Sequence, residues 1–275
     1  MKKQKNKPGK HASRLAAAFA ASCLVSLAAQ AHTPYLLPSS FDVQAKETVG
    51  VDAGFTEKFF VPDVAFGETA FSIITPAGER LPFGDIRQFK QRTVAEQKLP
   101  DEKGTYRLST GPRLGAVFRT WERNGKTESA RDPKQVIPAD AKLLSHYQSL
   151  SVSETYVTAG KPSAKAMAPL GKGLEIVAIT HPSDLYVNEK FDFIVQYNGK
   201  PLPNQKVNIY RSPMDFASQS TVQNLSTDAD GKVALPLTKS GIYLALVRYQ
   251  APAPAGAAAP MYGNNYTLTF RVLDQ

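Results

Sequence analysis

Cysteine is almost absent from this sequence, and so are the short motifs of several enzyme classes. The one cysteine, Cys23, excludes an intramolecular disulfide and a metal site built on several thiolates. The sequence contains no G-x-S-x-G nucleophile elbow, no glycine-rich phosphate loop and no H-E-x-x-H zinc motif. These absences argue against serine hydrolases of that type, phosphate-loop nucleotide-binding proteins and zinc proteases.

Acidic side chains are missing from the first 31 residues, which have the pattern of a secretory signal peptide. Six basic residues precede position 15, an apolar run covers 15–29, and Ala29-Gln30-Ala31 supplies the small-x-small cleavage pattern. The apolar run is too short for a stable membrane span. We predict that residues 1–31 are a signal peptide, that the mature protein is periplasmic, and that it has no membrane span.

Excess positive charge is also scarce once this segment is removed. The 33 lysines and arginines of the chain fall to 27, against 24 aspartates and glutamates, so the formal net charge falls from +9 to +3. A balance this close to neutral gives no basis for binding to nucleic acid. We predict no nucleic-acid partner.

Helical periodicity is lacking after Ala31, and short alternating apolar runs take its place. Asn124-Gly125, Asn198-Gly199 and Asp230-Gly231 are typical hairpin turns. Only residues 138–145 have the composition of a short helix. Strands are predicted at 49–55, 69–74, 106–110, 116–121, 150–157, 174–179, 191–197, 207–210, 233–237, 242–249 and 266–273. The pattern predicts an all-β protein.

Two domains are predicted on either side of residues 161–173, a segment rich in Lys, Pro, Ala and Gly. The N-terminal β-sandwich domain is expected at 32–160 and the C-terminal one at 174–275. Tyr106 and Tyr243 each follow a Gly-x pair just before a strand. A tyrosine in that position is typical of the corner of an immunoglobulin-like sandwich. We therefore predict two tandem β-sandwiches, with the C-terminal one immunoglobulin-like.

Histidine is scarce, and its positions carry the metal-site hypothesis. After cleavage only His32, His146 and His181 remain, and His32 becomes the first residue. Its α-amine and its imidazole then form a two-point chelate, which suits nickel, cobalt or copper. Pro34 has no amide proton, so the further ligands are expected from elsewhere in the fold, with His146 and His181 as candidates. The alternative is a structural role for His146 and His181.

The sequence also resembles a broad family of proteobacterial exported proteins of unknown function, often described as the periplasmic component of a cobalt/nickel transport system. The resemblance starts at HTPYLLPS from His32, where Tyr35 stands in place of the usual Trp. It continues through GTYR at 104–107, TWERNG at 120–125, IPADAK at 137–142, ETYVTAG at 154–160, GLEIV at 173–177, THPSDL at 180–185, NGKPL at 198–202, TDADG at 227–231 and GIY at 241–243.

Membership implies a periplasmic accessory in transition-metal uptake. Together with the position of His32 after the cleavage site, it predicts a non-enzymatic protein that binds a divalent transition metal and supports its uptake. The partner would be an inner-membrane metal transporter or an outer-membrane receptor. The resemblance carries His32 and His181 over as matching positions and says nothing of His146. Two other functions stay open. One is a metal-free envelope interaction module, which would use sandwich edges and the loop at 251–260. The other is a copper-dependent oxidative enzyme that uses the N-terminal histidine.

Overall fold

The protein was analysed as a computed structural model, which describes residues 32–58, 60–67, 69–132, 134–212 and 223–275. The predicted signal peptide lies outside the described residues. The strands of the first half are β1 Thr33–Pro38, β2 Asp42–Val43, β3 Thr48–Thr56, β4 Val64–Ala65, β5 Ser72–Ile74, β6 Arg80–Pro82, β7 Asp85–Gln88, β8 Thr93–Lys98, β9 Gly104–Ser109, β10 Arg113–Arg123, β11 Lys126–Ala130 and β12 Lys142–Ala159.

The second half is equally rich in strands. It begins with a short 3-10 turn, Lys165–Met167. The strands that follow are β13 Leu174–Ala178, β14 Lys190–Tyr197, β15 Lys200–Pro201, β16 Lys206–Arg211, β17 Gln223–Ser226, β18 Lys232–Pro236, β19 Gly241–Pro252 and β20 Met261–Val272. The predicted all-β class is confirmed. The short helix that the composition of residues 138–145 allows does not form, because β12 begins at Lys142 and pairs with β10 there.

The strands of the described residues form three sheets. An eleven-stranded sheet, here called the central sheet, runs in the order β17-β16-β19-β20-β12-β9-β5-β6. Strands β2 and β10 also pair with β12, and β11 pairs with β10. A five-stranded sheet contains β1, β3, β4, β7 and β8, and a four-stranded sheet contains β13, β14, β15 and β18. The central sheet is continuous because β12 and β20, which end the two halves, pair in parallel over nine residues.

Two hydrophobic cores lie on opposite faces of β12, because successive side chains of a strand alternate between faces. Val157 and Ala159 belong to the first core, together with Leu36, Val51 and other residues of the five-stranded sheet. Tyr156 belongs to the second core, which the four-stranded sheet completes. The chain is therefore two β-sandwiches in tandem, the C-terminal one immunoglobulin-like, and they share one sheet.

The two sandwiches repeat the same corner. The hydroxyl of Tyr106 donates a hydrogen bond to the carbonyl oxygen of Glu102 at 2.7 Å, and that of Tyr243 donates to Lys239 at 2.6 Å. Gly104 and Gly241, each two residues before its tyrosine, both have a φ of 136°. At Gly241 an added Cβ would lie 2.4 Å from the carbonyl oxygen of Ser212, so only glycine fits.

A buried charge network joins the segment at 161–173 to the central sheet. Arg107 and Glu154 are both at most 2% exposed, and Arg107 Nε donates to Glu154 Oε2 at 2.8 Å. Tyr266 donates to the same carboxylate oxygen. Glu175 lies 3.6 Å from the guanidinium and accepts the backbone N–H of Gly171 at 2.8 Å. Arg107 also donates to the carbonyl oxygen of Ala168 at 3.3 Å, so the segment is hydrogen-bonded to a strand of each sandwich.

Candidate functional site

His32 immediately precedes β1, and its imidazole faces the turn between β3 and β4. The antiparallel register pairs Thr33 with Thr56, which brings His32 and Glu57 side by side one residue further along. His32 Nε2 lies 3.5 Å from Glu57 Oε1 and 3.8 Å from Asp63 Oδ2. One ring nitrogen of His32 is therefore directed towards two carboxylates.

The turn that carries these carboxylates is fixed by its own hydrogen bonds. Asp63 Oδ2 accepts the backbone N–H of Glu57 at 2.7 Å. Thr56 Oγ1 donates to the carbonyl oxygen of Val61 at 2.6 Å. The position of Asp63 is thus set by backbone contacts, while His32 keeps 35% of its side chain exposed. The imidazole is accessible to a ligand, and the carboxylate of Asp63 beside it is held in place.

His181 is tied into the fold through both ring nitrogens. Its Nδ1 accepts the backbone N–H of Ser183 at 3.1 Å, so the ring proton of the neutral form lies on Nε2. Nε2 is 3.0 Å from Thr105 Oγ1 and 3.2 Å from the carbonyl oxygen of Ser163. His181 therefore connects β9, the segment at 161–173 and the turn after β13. These bonds would have to break before it could coordinate a metal.

His146 lies on β12, opposite Arg119 in the register with β10. The next residue, Tyr147, lines a cleft that also includes His32. Because neighbouring side chains of a strand point to opposite faces, His146 points away from that cleft. Among the described residues, no three His, Cys, Asp or Glu side chains form a group that could hold a metal ion. The three predicted ligands are thus not brought together.

The cleft beside His32 and the two carboxylates behind it were not predicted from the sequence. The cleft has a volume of about 470 Å³ and is walled by β3, β10, β12, β19 and β20. Glu57 and Asp63 lie 25 and 31 positions from His32 in the sequence. Only the pairing of β1 with β3 brings them together. Only a prediction of the register of β1 with β3 could have identified the two carboxylates from the sequence.

Fold and site define a tandem β-sandwich protein with an open cleft at the start of its first strand. None of the described residues belongs to a helix with the length and apolar character needed to cross a bilayer. Residues 29–251 match the model of a domain of unknown function, DUF4198. The chain belongs to the DUF4198 family, which confirms the predicted membership of a family of unknown function. No curated protein matches the chain.

Several solved structures match the chain at low similarity. The D0-D1 domain of intimin is 16% identical, with 86% of this chain and 96% of that chain covered and a TM-score of 0.21. FdeC, an Escherichia coli adhesin, is 15% identical over 88% and 65%, with a TM-score of 0.24. A DUF4785 family protein from Legionella pneumophila is 8% identical over 78% and 50%, with a TM-score of 0.26. TM-scores this low carry no inference about function.

Proposed function

We propose that this chain is an exported, non-enzymatic protein that binds a divalent transition metal at its mature amino terminus and supports metal uptake. The proposal includes export by residues 1–31 and cleavage after Ala31. The observation that carries it is the environment of His32, an accessible imidazole at the lip of a cleft with two carboxylates beside one ring nitrogen.

The donor set suits nickel, cobalt or copper. Cleavage after Ala31 would place an α-amine and an imidazole on one residue, and nitrogen donors of this kind favour these metals over magnesium or calcium. Nε2 is the ring nitrogen that faces Glu57 and Asp63. Nδ1 is the one that can chelate together with the amine. A carboxylate at the second nitrogen of a ligating histidine orients the ring and raises its basicity.

The coordination positions that His32 does not fill favour a metal that is delivered as a chelate with a small molecule. The described side chains offer no group of three His, Cys, Asp or Glu ligands, so a metal held by His32 would keep open positions. Those positions suit a metal carried as a chelate and handed on, which is the task of a carrier. An inner-membrane metal transporter or an outer-membrane receptor would be the partner in uptake.

Metal titration of three purified variants tests this function. The protein would be expressed with its own leader, purified from the periplasm, freed of metal on a chelating resin and titrated with Ni(II), Co(II) and Cu(II). We expect His32→Ala to abolish tight binding. Insertion of Ala-Pro between Ala31 and His32 should do the same, because it separates the amine from the imidazole and the proline has no amide proton with which to bridge them. His146→Ala is the matched control and should bind as wild type does.

Equal binding by wild type and His32→Ala would refute the site. A wild-type protein that binds none of the three metals and co-purifies with an envelope protein would replace the proposal with an interaction module. Peroxide formation by the copper-loaded protein in the presence of a reductant would contradict the non-enzymatic part, in favour of an oxidative enzyme.

A further inference from the structure

The charged side chains among the described lining of the cleft beside His32 are all basic. Its described lining contains three arginines and His32 but no aspartate or glutamate. The arginines come from distant parts of the sequence, Arg113 from the start of β10, Arg131 from the residue after β11 and Arg248 from β19. Strand pairing β10–β12, β12–β20 and β20–β19 brings them to one place. A pocket with this charge selects anions.

Two of these arginines lie on aromatic rings. The guanidinium of Arg113 is 5.0 Å from the centroid of the Phe55 ring, and that of Arg131 is 4.9 Å from that of Phe118. Stacking supports the flat face of a guanidinium and leaves its N–H edge for a carboxylate. Over the described residues, neither Arg113 nor Arg131 forms an ion pair with a carboxylate.

The charge of Arg113 is partly desolvated. Burial lowers the pKa of Arg113, and none of the acidic residues that the structure describes opposes that effect. A half-buried positive charge without a counter-ion is costly, and an anionic ligand would relieve that cost. The electrostatics of the cleft therefore favour an incoming anion.

The remaining walls are largely apolar and aromatic. Phe118 and Tyr147 stack with ring centroids 5.2 Å apart and planes 16° from parallel. Gly263 permits this, because a Cβ there would lie 2.5 Å from the Tyr147 ring. Phe55 and Tyr249 add further ring surface. With a volume of about 470 Å³, the cleft falls within the size range of small-molecule sites.

From these observations we infer that the cleft binds a small organic anion with several carboxylate groups and a planar, apolar body. The arginines would take the carboxylates, and the rings would cover the body. This site does not rest on the proposed metal function, because arginine side chains stay protonated and are not metal ligands. A metal delivered as a polycarboxylate chelate would use both His32 and the arginines.

Calorimetric titration of the metal-free protein tests the inference with three probes. Trimesate is a flat ring with three carboxylates, inorganic phosphate is an anion without an apolar body, and benzyl alcohol is a ring without charge. We expect trimesate to bind saturably at or below millimolar concentration, and more tightly than phosphate or benzyl alcohol. Arg113→Met and Arg131→Met should each weaken it about tenfold or more, the usual loss for a hydrogen bond to a charged group.

Arg123→Met is the matched control, because Arg123 ends β10, outside the cleft, where it pairs with Asp140. It should bind trimesate as the wild type does. Arg131 is exposed, so its variant reports on binding even if Arg113→Met fails to fold. Three results would overturn the inference: no saturable trimesate binding, phosphate binding as tight as trimesate, or unchanged affinity in both cleft variants. Because the titration contains no metal, its outcome is separate from that of the metal experiment.

Discussion

Replacing Glu154 by glutamine should destabilise the protein by several kilocalories per mole, since it neutralises one member of a buried ion pair. Arg107 is 1% exposed and Glu154 is 2% exposed, so water solvates neither charge. Burial lowers the pKa of Arg107, but the Glu154 carboxylate, together with Tyr156 and Tyr266, outweighs this effect and holds that pKa well above its usual value. The glutamine keeps the size of the side chain and removes the charge that compensates the guanidinium.

Removal of one partner of a buried pair costs about 3–5 kcal/mol. Glu175 remains 3.6 Å from the guanidinium, so we expect the lower end, about 3 kcal/mol. For a chain of this size, that loss lowers the melting temperature by about 6–12 °C. Urea unfolding followed by circular dichroism measures the free energy directly.

Asp42→Asn provides the matched control for this change. Asp42 pairs with Arg271 at 2.6 Å, but its side chain is 67% exposed. Exposed pairs contribute little, so this variant should change the free energy of unfolding by less than about 1 kcal/mol. If Glu154→Gln is within that same range, the network is not the buried electrostatic contact described above, and the reasoning fails.

Three other outcomes follow from the second core. Tyr156→Phe should raise the free energy of unfolding by about 1 kcal/mol, because the Tyr156 hydroxyl is buried without a hydrogen-bond partner among the described residues. Tyr243→Phe should lower the free energy of unfolding by about as much, because it removes the hydrogen bond to Lys239. Urea unfolding at neutral pH compares the two variants. Burial raises the pKa of Tyr156 from 10.0 to about 12. The stability that this shift gives the folded state is therefore complete below pH 10 and is lost as the pH rises to 12. The Phe variant should lose less stability than wild type between pH 10 and 12, and parallel pH profiles of the two proteins would contradict this. Gly241→Ala should lower the melting temperature more than Gly256→Ala. Gly256 also has a positive φ, but the space where its Cβ would lie is open. Equal losses in the two variants would show that the backbone near Ser212 moves to relieve the clash.

The fold was predictable where local chemistry and tertiary structure agree. The Gly-x-Tyr pairs predicted two corners, and both tyrosines donate the expected bond to a carbonyl four residues back. Asn124-Gly125 and Asn198-Gly199 take positive φ at both positions and close hairpins as predicted. Strand β7 was missed because all four of its residues are exposed and it has no apolar alternation. Its partner β8 supplies its backbone hydrogen bonds.

The site was less predictable because pairing between distant strands builds it. His32 was identified from the cleavage pattern and the family resemblance, but its neighbours Glu57 and Asp63 depend on the register of β1 with β3. His181 matched a family motif, yet its ring nitrogens bond to Ser183, Thr105 and Ser163. The arginine cleft depends on the parallel pairing of β12 with β20, which no local pattern indicates.

Native mass spectrometry of the protein purified from the periplasm tests the central claim most directly, because it reports the mature start and the bound metal in one spectrum. The account predicts a chain that begins at His32 and carries one nickel, cobalt or copper ion, and a His32→Ala protein of the corresponding length without metal. A chain that begins elsewhere, or a His32→Ala protein that holds the same metal as wild type, would contradict it.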